Sequence, residues 1–256
     1  MFLVLSQNMR IIFVFFLIPF FYLHPAVGQN DHFAKGNTAF EKGLFQQALD
    51  EYKKLENNKL GGFGLYTNIA RSYAQLKKDP QAILYYEKAL KIKPTKKEIK
   101  RELLTIKKRN PELEDISTDF FLKEWWKYIC GIWVSDTWAI LSLLILPSAG
   151  ILYLFGNTLK WYTSYRNYIL SGMLGLFLFC TLAAWQRYVE IYQPDHLIII
   201  DPETKLKAGP DDLSPDLTQL PAGTKVKKAD VLAQWIQVVS PYGDTGWIKA
   251  QSAASI

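Results

Sequence analysis

Two stretches without a single charge constrain this chain more than anything else in it. One runs from Thr137 to Leu159, with WAILSLLILPSAGILYLFG at its heart; the other runs from Asn167 to Gln186, around YILSGMLGLFLFCTLAAW. Each has the roughly 20 apolar residues that a helix needs to cross a hydrocarbon layer. Trp133, Trp138, Tyr153, Trp161, Tyr162, Trp185 and Tyr188 cluster near their ends, as interfacial aromatic anchors do. A buried helical hairpin in a water-soluble protein is the alternative. The connection KWYTSYR carries Lys160 and Arg166 and no acid. That pattern predicts a cytoplasmic loop over 158–167 between transmembrane helices over 137–157 and 168–187. Neither charge-free stretch holds an ionisable residue of the kind pumps and carriers use at membrane depth, so both are expected to be anchors.

A third apolar block, Ile11 to Leu23, is too short for a confident span. Arg10 precedes it and Ala26-Val27-Gly28 follows, which predicts a secretory signal peptide over 1–28, cleaved after Gly28. An uncleaved anchor is the alternative, and Met9 is a more typical start than Met1. In either case the chain from Gln29 is expected outside the cytoplasm. The two spans then return it there, so both polar regions face one compartment, the periplasmic side of an inner membrane.

These blocks explain why 256 residues are 49% hydrophobic and 14% aromatic while the remainder divides into small parts. The net charge of +6 comes largely from Lys91 to Arg109, where nine cations face only Glu98 and Glu102. Such a run suits nucleic acid, anionic lipid or the solvated face of a helix. Export of the segment argues against nucleic acid, and none is expected as a partner. Cys130 and Cys180 form no CxxC pair or metal cluster and read as small apolar residues.

The region from Gln29 to Pro94 repeats itself with a fixed period. Gly36, Phe40, Ala48, Tyr52 and Leu55 recur about 34 residues later as Ala70, Tyr73 (one position early), Ala82, Tyr86 and Ala89, and Pro94 follows. Small residues allow two helices to touch, and the tyrosines fill the space between helix pairs. AFEKGLFQQALDEYKKL and SYAQLKKDPQAILYYEKALKIKP resemble the tetratricopeptide repeat, so two repeats are expected over 29–94. Two are fewer than the usual stable minimum of about three. TKKEIKRELLTIKKR, with Ile99, Leu103 and Ile106 on one stripe, is expected to add a basic capping helix over 95–110, followed by a linker and membrane-proximal segment over 111–136.

The resemblance implies a groove that binds peptides or helices, lined by Phe33, Asn37, Glu41, Thr67, Asn68, Arg71 and Gln75. Asn37 and Asn68 match asparagines that grip a C-terminal carboxylate in clamp-type members. The clamp lysine is replaced by Phe33, and Glu98 and Glu102 stand where cations would be needed. Asn68 and Arg71 are expected to dominate partner affinity without being needed for folding.

After Asp195 the pattern becomes short strands between Gly, Pro and Asp turns, an all-β unit over 195–256. GTKV, WIQV and the terminal GDTGWI resemble the bacterial SH3-like domain. Such domains bind wall peptides or protein segments, and Trp235, Tyr242 and Trp247 are candidates for an aromatic surface. The competing expectation is that one or two of them fill the barrel core, since ~60 residues need most of their aromatics for stability.

No catalytic motif is found: there is no HExxH, GxSxG or phosphate-cradling GxxxxGK[ST]. The expectation is a non-enzyme without cofactor or metal. The fold class is multidomain: an all-α tetratricopeptide stack, two transmembrane α-helices and a small all-β SH3-like barrel. This layout resembles BatE-type proteins of the Bacteroidetes aerotolerance operon. The resemblance implies an adaptor in an inner-membrane complex with von Willebrand A-domain proteins and a MoxR-type ATPase, acting in oxygen tolerance or envelope stress. The alternative is a module that binds cell-wall peptidoglycan and positions envelope enzymes.

Overall fold

A computed structural model describes residues 31–113, 121–156, 160–192 and 195–256; the signal peptide expected over 1–28 lies outside them. The described chain opens with α1 (Asp31–Glu41), α2 (Phe45–Asn57), α3 (Phe63–Gln75), α4 (Asp79–Ile92) and α5 (Lys97–Lys107). α1 pairs with α2, α3 pairs with α4, and α5 packs on α4. Left-handed backbone at Gly43 (φ 75°), Lys59 (φ 59°) and Lys77 (φ 60°) makes the turns. Pro80 sits in the first turn of α4, where its missing N–H leaves no helical bond unmade.

The repeated small residues have the packing role the sequence suggests. A Cβ on Gly36 would run into the ring of Tyr52. Ala48, Ala70 and Ala82 are fully buried, and Tyr52 and Tyr86 are 1% and 2% exposed. α5 adds Ile99, Leu103 and Ile106 to the same core, which is the stripe expected of a capping helix.

At the other end of the chain, seven strands form one antiparallel sheet in the order β3-β2-β6-β5-β4-β1-β7. They are β1 (His196–Ile199), β2 (Lys205–Lys207), β3 (Asp216–Gln219), β4 (Lys225–Leu232), β5 (Trp235–Val239), β6 (Thr245–Lys249) and β7 (Ala253–Ser255). The apolar run over 197–200 lacks alternation because both faces of β1 are covered. Leu197 and Ile199 join Leu206, Leu220, Val226, Val238 and Ile248 in the sheet's own core. Ile198 and Ile200 instead enter the helical core together with Ala254 and Ile256.

The sheet therefore docks on the helices, chiefly on α4. Gly223 adopts φ 96°, and a Cβ there would overlap side chains of Leu113 and Ile83. The Lys225 ammonium reaches the Glu87 carboxylate at 2.8 Å, and Lys107 lies 3.7 Å from it. Burial pushes the Glu87 carboxyl up, but the two ammonium groups more than offset this and hold it below the usual carboxylate range. Lys91 donates to the carbonyl of Ile256 at 2.8 Å. Two cations of the basic run are thus spent at this joint; Lys97, Lys100, Arg101 and Lys108 remain on an exposed face.

Between the two units lie α6 (Phe121–Cys130), α7 (Ser135–Phe155) and α8 (Lys160–Tyr192). α7 and α8 pack together, and both are long and apolar enough to cross a membrane. Two boundaries differ from expectation. The segment read as a linker over 111–136 contains a 3-10 turn (Pro111–Leu113) and α6. The loop expected over 158–167 is helical from Lys160, and α8 runs past Gln186 to Tyr192. Charges end a span, not a helix, and KWYTSYR holds no glycine or proline to break one.

The extension brings Arg187 into the helix, fully buried. Its Nη2 donates to the carbonyls of Lys91 (2.5 Å) and Ile92 (2.7 Å), and Nη1 donates to Glu190 (2.6 Å). Those carbonyls belong to the last turn of α4, which lacks intrahelical partners and carries the negative end of the helix dipole.

Candidate protein-binding groove

α1, α3 and α5 follow one another at the same register. Leu65, Ile69 and Ser72 are buried in α3, and their counterparts one period on, Ile99, Leu103 and Ile106, are buried in α5. α5 therefore occupies the place of the first helix of a third unit. Leu104, at the register of Gly36 and Ala70, is 49% exposed because no second helix covers it among the described residues.

The same register organises the polar residues. In the first unit the Tyr52 hydroxyl donates to Asn37 Oδ1 (2.8 Å), and Asn68 Nδ2 donates to the same oxygen (2.9 Å). Moved on by one repeat, the triangle becomes Tyr86, Arg71 and Glu102. Tyr86 donates to Glu102 Oε2 (2.8 Å), while Arg71 grips Glu102 through Nε (3.0 Å) and Nη2 (2.6 Å). Arg71 Nη2 also donates to Glu98 (2.7 Å). Burial pushes the Glu102 carboxyl up, but hydrogen bonds from Arg71 and Tyr86 hold it below its usual range. Burial and the Glu102 carboxylate both push the Tyr86 hydroxyl up.

Asn37 and Asn68 bond to each other, while Arg71 turns to Glu102 and Glu98 of α5. The expectation that Asn68 and Arg71 serve a partner without serving the fold is corrected here. Both cross-link successive helices, so their removal weakens the stack as well as any contact. The period itself held the missed signal, since Glu102 stands one repeat after Asn68 and Arg71 stands one repeat after Asn37. Phe33 is half-buried against the Tyr52 ring (centroids 5.9 Å apart), and the Thr67 hydroxyl is spent on the Phe63 carbonyl. Glu41 and Gln75 are exposed. With both asparagines engaged and acids at the clamp's cation positions, the geometry does not favour gripping a carboxylate.

On the sheet, Trp235 follows the expectation that one of the three aromatics is buried. Trp235 is 5% exposed, and the Lys249 ammonium lies 5.7 Å from its ring centroid. Lys249 is itself tied to Asp212 at 2.6 Å. Register places Trp235 and Trp247 on the same sheet face, Trp235 opposite Lys249 and Trp247 opposite Gln237. Trp247 is half-buried there. Tyr242 is 61% exposed and sits apart from them, at a cleft beside Glu112, Gln219 and Pro221 where sheet and helices meet. Strand alternation alone cannot reveal that this face is covered.

No cluster of three or more His, Cys, Asp or Glu able to hold a metal occurs among the described residues. The model of the tetratricopeptide repeat family matches residues 63–96, which span α3, α4 and the turn after them. No curated protein matches the chain. The tetratricopeptide repeat is a protein-interaction fold, and this chain carries it.

Proposed function

We propose that this protein is a membrane-anchored adaptor that holds partner proteins on the α1–α3–α5 face of its repeat stack. One observation carries the proposal: the sheet docks on α4 through Ile83, Glu87 and Lys91, away from that face. The exposed Glu41, Gln75 and Glu98 are then left for a partner. α7 and α8 serve as anchors, with stack and sheet on the periplasmic side of the inner membrane. The short antiparallel strands, with GDTGWI leading into and forming β6, support an SH3-like unit. Together these parts fit an aerotolerance or envelope-stress complex with von Willebrand A-domain proteins of the BatE type. The peptidoglycan-binding alternative has less support, because Trp235 is buried and Tyr242 alone is well exposed.

Photo-crosslinking side chains at Glu41 and Gln75 should capture partner proteins in intact cells, and one at Asp50, exposed on α2, should not. Adducts from position 242 alone, with retention of residues 195–256 on isolated sacculi, would favour the wall-binding alternative. For topology, alkaline phosphatase fused after Arg109 or Ile256 should be active, and fused after Thr163 inactive.

A further inference from the structure

α6 is amphipathic in an unusual place. One side is fixed: Trp126, Ile129 and Cys130 pack with Trp138, Phe179, Cys180 and Ala183 of α7 and α8. Trp126 meets Phe179 edge-on with centroids 5.6 Å apart. The Trp138 indole N–H donates to the carbonyl of Cys130 at 3.0 Å, which satisfies the end of α6 inside an apolar cluster. Gly131, directly after α6, lies against Pro94 at the foot of the repeat stack.

The apolar arc of the helix extends beyond these contacts and is bare there. Leu122, Trp125 and Tyr128 are 50%, 59% and 49% exposed, and Ile132, Trp133 and Val134 in the following turn are each close to half exposed. A patch of this size needs a covering. It leads along the chain directly into α7, where Ile140, Leu143 and Leu144 are also exposed and apolar. Its mixture of Trp and Tyr with aliphatic side chains suits a bilayer interface. Its depth agrees. Phe179 lies about 12 Å along α8 from Arg187, at which level the repeat stack begins. α6 therefore sits on the membrane side of the stack.

We infer that α6 and its turn form an interfacial helix, seated in the leaflet nearer the repeat stack, with Trp125, Tyr128 and Trp133 against lipid. The helix would fix the height of the stack above the bilayer. The inference rests on α7 and α8 crossing a membrane, as proposed above. Its test uses the full chain in nanodiscs of phosphatidylethanolamine and phosphatidylglycerol, with a nitroxide side chain at one position at a time: 125, 128, 143 or 104. At 125 and 128 the ratio of oxygen to water-soluble nickel collisions should exceed that at 104 by about threefold or more, and should approach that at 143. A water-like ratio at 125 and 128 with a lipid-like ratio at 143 overturns the interfacial helix and leaves the spans intact. Low collision with both reagents at 125 and 128 means that protein covers the face, and also overturns it. A water-like ratio at 143 overturns the membrane reading beneath it.

Discussion

The first and second repeat units build the same triangle from different chemistry. Tyr52, Asn37 and Asn68 form a neutral set, whereas Tyr86, Arg71 and Glu102 form an ionic set in the same register. A tyrosine hydroxyl meets a short polar chain from the first helix of its own unit or of the next. What differs is the neighbour. The neutral set joins α1 to α3, inside the stack. The ionic set joins α3 to α5, the last helix of the stack, where Glu98 is exposed and still supplies a second contact to Arg71. The comparison teaches that this register position needs a satisfied polar link, and that a charge is tolerated where the stack opens to water.

The largest effect should follow Glu102→Ala, which leaves the Arg71 guanidinium and the Tyr86 hydroxyl without their main acceptor. The side chains of Arg71 and Glu102 are 34% and 29% exposed, between the buried and surface regimes. A loss of about 2 kcal/mol is expected. It would be read from hydrogen exchange of α3 and α5 amides in the full chain. Asn68→Ala should cost about 1 kcal/mol in the same measurement, since only neutral bonds go. Equal losses would erase the distinction between the two sets. Converting the second set to neutral with Arg71→Asn and Glu102→Asn together should cost less than Glu102→Ala alone, because no charge is left unpaired. The double variant should also lose the salt sensitivity of the native link.

The smallest effect is with pH. Glu102 titrates below 4.5 in the fold, so the unfolded chain takes up its proton first. The ionic set's contribution is present above pH 4.5 and is lost as pH falls through the folded value. The neutral set has no carboxyl group, so Asn68→Ala should leave the acid profile of α3 amide protection unchanged.

Much of the stack was legible because its register is rigid. Ala48 with Ala82 and Tyr52 with Tyr86 mark positions that backbone contact leaves no freedom to vary. The two long apolar helices were legible from composition alone. The site was read only in part. Asn37, Asn68 and Arg71 recur at one register, but the bonds of Asn68 to Asn37 and of Arg71 to Glu102 depend on side-chain directions that periodicity does not carry. Which of Trp235, Tyr242 and Trp247 is buried could not be read from alternation, because Trp235 is covered by the Lys249 side chain. Arg187 escaped notice because it stands just beyond a charge-free stretch, and its acceptors are backbone groups far back in the sequence, on α4.

The Arg187 contact joins a membrane helix to the backbone of the repeat stack. Its acceptors at Lys91 and Ile92 are main-chain carbonyls, so substitution at those two positions leaves them in place. Its donor is a guanidinium, which keeps its proton at any pH a cell survives. Acid that loosens the Glu87 joint would leave this one closed. The arrangement is a hinge pin with a single removable part. A lysine ammonium is a compact point charge and cannot reproduce the planar fork that sends Nη1 to Glu190 and Nη2 to the two carbonyls. Together with the contact of Gly131 on Pro94, Arg187 ties the membrane helices to the end of α4.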